Sequence, residues 1–117
     1  MKLQDIRSYC LAKAGVTEEL PFDNTTLVYK VMGKMFATAS FDNDFVNLKC
    51  DPDVAITLRE QYDGVQPGYH MNKRLWNSVF YVDGAIPPVL IYQWIDDSYR
   101  LVVANLPKKL REELTKE

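Results

Sequence analysis

Histidine is almost missing from this chain: one residue in 117, with only two cysteines beside it. A zinc site needs three or four converging Cys, His or carboxylate ligands, so the classical ligands are too few and no metal is expected. A Ser-His-Asp triad would have to use His70, and no serine sits in a nucleophile-elbow pattern. The five glycines (15, 33, 64, 68, 84) are scattered, which removes both Walker A and dinucleotide fingerprints and leaves no cofactor implied. Two isolated cysteines, Cys10 and Cys50, make no disulfide framework and read as reduced, buried thiols. Cys50 just precedes a predicted helix start, a position that can lower a thiol pKa. No apolar run approaches the roughly 18 residues of a membrane span. Met1 to Leu11 is polar and periodic, without the apolar core of a signal peptide, so a cytoplasmic protein with no membrane partner is expected. Positive charge is also short. The net charge of −2 opposes strong non-specific nucleic-acid binding, which normally needs a basic domain.

What is present suffices for one folded domain over residues 1–117, with 47% apolar composition. Leu3, Ile6, Cys10 and Ala14 recur at helical spacing and predict a helix over 2–14, ended by Gly15. Leu27, Tyr29 and Val31 alternate along a strand from 25 to 32. Gly33-Lys34 then supplies a type II′ hairpin turn, and Met35 to Phe41 forms the return strand. Val46, Leu48 and Cys50 make a third strand after the polar turn 42–44. Asp51-Pro52 caps a helix that runs to about Tyr62, with Val54, Leu58 and Tyr62 inward. Val65-Gln66 begins a short strand, and 76–82 is a further one ending at Asp83-Gly84. Pro87-Pro88 launches the longest helix, 88–104, and Pro107 a short basic one to Leu114. This order predicts an α+β two-layer sandwich, an antiparallel sheet with helices on one face. The other face, partly solvated, offers a platform for binding. The acidic runs, Glu18-Glu19 and Asp96-Asp97 among them, read as solvated faces or local structure.

One segment carries more polar chemistry than packing requires: Pro67-Gly68-Tyr69-His70-Met71-Asn72-Lys73-Arg74-Leu75-Trp76-Asn77. Tyr69 and Trp76 can stack on bases while Lys73 and Arg74 contact phosphates, a mixture suited to single-strand or groove binding. Trp76 can equally be the first inward residue of its strand. Asn72 and Asn77 can read a base edge or make local turn bonds. His70 either fixes the turn through the backbone or meets an anionic or aromatic partner. An enzyme would need His70 as acid or base with a second titratable group in the same pocket.

Cys50-Asp51-Pro52, Leu58-Arg59-Glu60-Gln61-Tyr62, Val65-x-Pro67, Tyr69-His70-Met71-Asn72-Lys73-x-x-Trp76-Asn77, Asp83-Gly84-x-Ile86-Pro87 and Asp96-x-Ser98-Tyr99 together resemble the MmcQ/YjbR family of bacterial proteins. The similarity runs from the first helix to Leu106-Pro107-Lys108-Lys109. It implies a CyaY-like fold, as in the bacterial frataxin homologue, and DNA binding through a double-wing arrangement of β-hairpins. It brings no established catalytic residues. Leu75 stands where the family often has histidine. Frataxin-type iron binding uses an acidic first helix, whereas here Lys2, Arg7 and Lys13 face a single Asp5, so iron chemistry does not follow from the fold.

The residues and the resemblance together lead to a non-enzymatic binding protein. DNA is the first expected partner, held by Tyr69, His70, Asn72, Lys73, Arg74, Trp76 and Asn77, with Lys30, Lys34 and Lys49 extending a basic track across the sheet. The alternative is an interaction module for an acidic protein or a small anion at the same surface.

Overall fold

A computed structural model describes residues 1–115 as a two-layer α+β sandwich. Helix α1 (Leu3–Leu11) is followed by strands β1 (Val16–Glu19), β2 (Thr26–Val31), β3 (Lys34–Ser40) and β4 (Phe45–Lys49). Helix α2 (Pro52–Gln61), strands β5 (Val65–Pro67) and β6 (Trp76–Phe80), and helices α3 (Pro88–Ala104) and α4 (Lys108–Leu114) complete it. The six strands form one open antiparallel sheet in the order β1-β2-β3-β4-β6-β5. Among the described residues, no helix is long and apolar enough to cross a membrane.

Helices α1 and α3 bury their stripes on one face. Ile6 and Cys10 of α1, and Ile91, Trp94, Ile95, Ser98 and Val102 of α3, meet Leu27, Tyr29, Val31, Ala37, Ala39, Val46 and Val79 of the sheet. Ser98 is a polar residue in that stripe because it serves the backbone: its hydroxyl donates to the Phe36 carbonyl at 2.6 Å and accepts from the Lys49 amide at 2.9 Å. Asp51 caps α2 as expected, accepting from the Asp53 amide at 3.0 Å. Helix α2 is less embedded than its pattern suggests. Ala55 is its buried residue, Leu58 and Tyr62 are half-buried, and Val54 is exposed.

Three local expectations are corrected. Strand β1 is an addition: its Glu18 is no solvated charge but the anchor of α1, taking two hydrogen bonds from Arg7 (2.9 and 3.0 Å) and one from the Tyr29 hydroxyl at 2.6 Å. The β2–β3 turn centres on Met32-Gly33, both with positive φ (49° and 84°), which is the type I′ pattern rather than II′. The Met32 side chain packs against the core beside Gly15. Finally, a bulge between Tyr29 and Lys30 shifts the register, so that Phe36 and Ala37 both enter the core. Met35 is left on the opposite face.

Candidate functional site

The sheet face away from the helices is polar in sequence yet only partly wet. Val28, Thr38, Asn47, Ser78 and Gln66 lie side by side across five strands. Thr38, Asn47 and Ser78 are nevertheless buried. The loop 68–75 covers them, and its chain path explains how.

Asn47 and Ser78 fasten the backbone of Tyr69 at both ends. The Tyr69 amide donates to Ser78 Oγ at 3.0 Å, and Asn47 Nδ2 donates to the Tyr69 carbonyl at 3.2 Å. The Ser78 hydroxyl donates in turn to Asn47 Oδ1, and Asn47 Nδ2 also reaches Thr38 Oγ1 at 3.2 Å. Buried polar groups in such a closed network stay satisfied and hold one geometry. Gly68 makes the close approach possible, since a Cβ there would lie 2.8 Å from Trp76 Cβ and 2.9 Å from the Trp76 carbonyl oxygen. His70 follows in the left-handed region at φ 59°, which histidine enters more readily than most residues. The loop then closes on itself. Asn72 Oδ1 accepts from the Arg74 amide at 2.9 Å, and the Asn72 carbonyl accepts from the Leu75 and Trp76 amides.

Beside this fastened loop lies a pocket of about 590 Å³, within the roughly 300–1,000 Å³ typical of small-ligand sites. Its walls carry five aromatic rings: Phe22, Phe45, Tyr69, His70 and Trp76. The rings of Tyr69 and His70 lie 4.1 Å apart, and Phe45 meets Tyr69 edge-on at 5.8 Å. Phe22, Tyr69 and His70 are open to solvent, Phe22 and Tyr69 at 73% and 58% exposure, whereas Trp76 is 6% exposed. Trp76 therefore lies on the loop side of the sheet, outside the helix-facing core, as part of a pocket wall. Met35, Thr38, Ser40, Asn43, Asn47 and Asn72 add further contact chemistry.

The predicted site residues separate into two groups. Tyr69, His70, Asn72 and Trp76 come together around the pocket. Asn77 does not: it faces the helices, is 2% exposed, accepts from Arg59 Nε at 2.7 Å and donates to the Ala55 carbonyl at 3.3 Å. The cations form no continuous track. The Lys73 ammonium donates to the Gly68 carbonyl at 2.9 Å, and Lys30 is paired with Glu19 at 3.2 Å. Lys49 lines a separate groove between α2 and α3. Lys34 stands exposed beside the hairpin turn and Arg74 on the loop. Among the described residues no lysine or arginine lines the pocket.

Its one carboxylate among the described residues is Asp23, held below the usual carboxylate range by the Thr25 and Thr26 amides, which donate to Oδ1 at 2.9 and 2.7 Å. His70 and Asp23 thus share the pocket, yet no hydrogen bond joins them among the described residues. Arg59 and Phe22 are among the contributors that escaped the sequence reading. Arg59 clamps the loop's exit by donating to the Lys73 carbonyl and to Asn77. Phe22 comes from a segment that sequence pattern left without structure. Cys50 is corrected as well: burial, with Asp51 and Asp97 nearby, pushes its thiol up to about 11. Asp51 already uses the helix N-terminus and presents negative charge to the sulfur.

The family model YjbR matches residues 11–101. Uncharacterized protein YjbR of Escherichia coli K12 is 34% identical over 114 residues, 96% of each chain. Uncharacterized protein YbdF of E. coli O157:H7 is 40% identical over 91 residues, covering 76% of this chain and 74% of its own. Among solved structures, the crystal structure of Deinococcus radiodurans protein DR2400, described as a DUF419 domain, is similar with a TM-score of 0.88 and 36% identity, over 97% of this chain and 87% of that one. A Pseudomonas syringae protein follows at 26% identity and a TM-score of 0.73.

Proposed function

The chain belongs to the YjbR family, and from that premise we propose that it is a non-enzymatic cytoplasmic binding protein whose ligand sits in the pocket beside the loop 68–75. One observation carries the reading. A loop rich in rings and amides is bolted to the sheet by buried hydrogen bonds, and beside it is a ligand-sized cavity. Pre-arranged polar groups around an apolar cavity are the usual form of a binding site. Binding is preferred over catalysis because Asp23 is engaged by its own turn and makes no bond to His70. The CyaY-like grouping is kept within this proposal, supported by the antiparallel sheet with α1 and α3 on one face.

DNA enters this reading in a particular form. The scattered cations offer little to a duplex backbone, while exposed Phe22 and Tyr69 offer stacking surfaces to unpaired bases. A single strand is therefore the nucleic acid proposed, with Arg74 and Lys34 outside the pocket as the phosphate contacts. Fluorescence anisotropy of labelled single- and double-stranded oligonucleotides across a salt series tests this. Single strands are expected to bind better than duplex, with a shallow salt slope, and Tyr69→Ala to weaken binding by about tenfold, the loss of one stacked base. Preference for duplex with a steep salt slope, unaffected by Tyr69→Ala, would refute it.

A further inference from the structure

We infer that the pocket is built for a planar, uncharged heteroaromatic ring carrying hydrogen-bond acceptors, of nucleobase or nucleoside size; this rests on the reading that the pocket is the ligand site. The polar groups around the pocket divide into those already spent within the protein and those that remain. Asn47 uses both ends of its amide on Thr38, Tyr69 and Ser78. Asn72 and Asn43 use only their oxygens, which accept from the Arg74 amide at 2.9 Å and the Phe45 amide at 3.4 Å. Those bonds fix each side chain's orientation, because a flipped amide would place its NH2 against a backbone N–H. The Nδ2 donors of Asn43 and Asn72 are left without a partner among the described residues. The hydroxyl oxygens of Thr38 and Ser40 likewise accept from Asn47 and from the Asp42 amide, leaving their hydrogens to donate.

The site is therefore rich in donors, and a ligand there must bring acceptors. Ring nitrogens and carbonyl oxygens on a flat molecule meet that need while the exposed rings of Phe22 and Tyr69 take its faces. Charge narrows the class further. Among the described residues Asp23 is the pocket's one carboxylate and no cationic side chain lines it, so a phosphate inside would be desolvated without compensation. A quaternary ammonium would suit the rings and Asp23 but would waste the free donors.

The same ring chemistry can arrive as a free base or nucleoside or as an unpaired base in a strand. Isothermal titration with adenosine, guanosine, cytidine and thymidine, their 5′-monophosphates, choline and indole tests the class, and short single-stranded oligonucleotides separate the sources. At least one nucleoside is expected to bind, with its monophosphate at least fivefold weaker and indole at least fivefold weaker. Asn72→Asp, which keeps the oxygen for Arg74 and removes the donor, is expected to weaken that nucleoside about tenfold without changing thermal stability. An oligonucleotide more than tenfold tighter than its nucleoside assigns the strand as source; equal affinity assigns the free molecule. Tighter binding of monophosphates or choline, indifference to the acceptors shown by equal indole binding, or no binding of any nucleoside would each overturn the class. The pocket itself is judged separately, by where any bound fragment contacts the protein, so the class can fail while the site stands.

Discussion

Replacing Asn47 by alanine should unfasten the loop that walls the pocket. The side chain makes three hydrogen bonds, two to the buried hydroxyls of Thr38 and Ser78 and one to the Tyr69 carbonyl. Leaving a buried polar group unpaired costs about 1–3 kcal/mol, and Tyr69 can recover water once the loop lifts, so the expected loss is about 2–4 kcal/mol. At about 4 °C per kcal/mol for a domain of this size, the melting temperature should fall by about 8–16 °C. Ser78→Ala removes the hydroxyl that links Asn47 to the Tyr69 amide and should cost about 1–3 kcal/mol by itself. Because the two residues bond to each other, the double variant should lose about 1 kcal/mol less than the sum. Urea denaturation of the four proteins supplies the cycle, and hydrogen exchange at the Tyr69 amide reports the loop locally. Strict additivity, with Tyr69 exchange unchanged in both variants, would refute the fastening argument.

Further predictions concern the scaffold and its thiols. Glu18 is held below its ordinary pKa by Arg7, with Tyr29 assisting against burial, so its stabilisation is present above the ordinary carboxylate value and lost as pH falls through the lower folded value. Glu18→Gln should therefore cost about 1–2 kcal/mol at pH 7, with the gap to wild type narrowing below about pH 4.5; a gap constant with pH in denaturant melts would contradict this. Gly68→Ala should cost about 1–3 kcal/mol and shift Trp emission, because the added methyl meets Trp76 at 2.8 Å. Gly33→Ala should lose about 1 kcal/mol through its backbone alone, having open space around it. The Cys10 thiol is buried and pushed up to about 12, so it should react with a thiol reagent at pH 7.5 only as fast as the protein opens, whereas half-buried Cys50, pushed up to about 11, should react slowly for want of thiolate. Rapid labelling of either in native protein would contradict that.

Sequence pattern was sufficient for helix starts and for the face of the longest helix. Asp51-Pro52 marks the start of α2 because cap and proline act within a few residues, and the stripe of α3 shows its buried face directly. Strand β1 was hidden because its inward Glu18 is tolerable only beside Arg7 and Tyr29, which lie eleven residues away on either side. The bulge at Phe36 breaks the period of two on which strand reading depends. The segment 67–77 was legible as unusual but not as a geometry. Thr38, Asn47 and Ser78 look like a solvent-facing row, and only the folded loop turns them into buried fasteners. Lys73 and Arg74 drew attention as neighbours in sequence, yet the Lys73 ammonium ends on its own loop. Phe22 and Phe45 join the pocket from distant segments, a juxtaposition that only the sheet register creates.

The most direct measurement is a map of amide and indole chemical-shift changes in isotopically labelled protein mixed with a small library of heteroaromatic fragments. Binders should move Thr38, Asn47, Tyr69 to Asn72 and the Trp76 indole together. Shifts confined to the groove between α2 and α3, at Val54, Leu101 and the Trp94 indole, or to the basic helix α4, would contradict this.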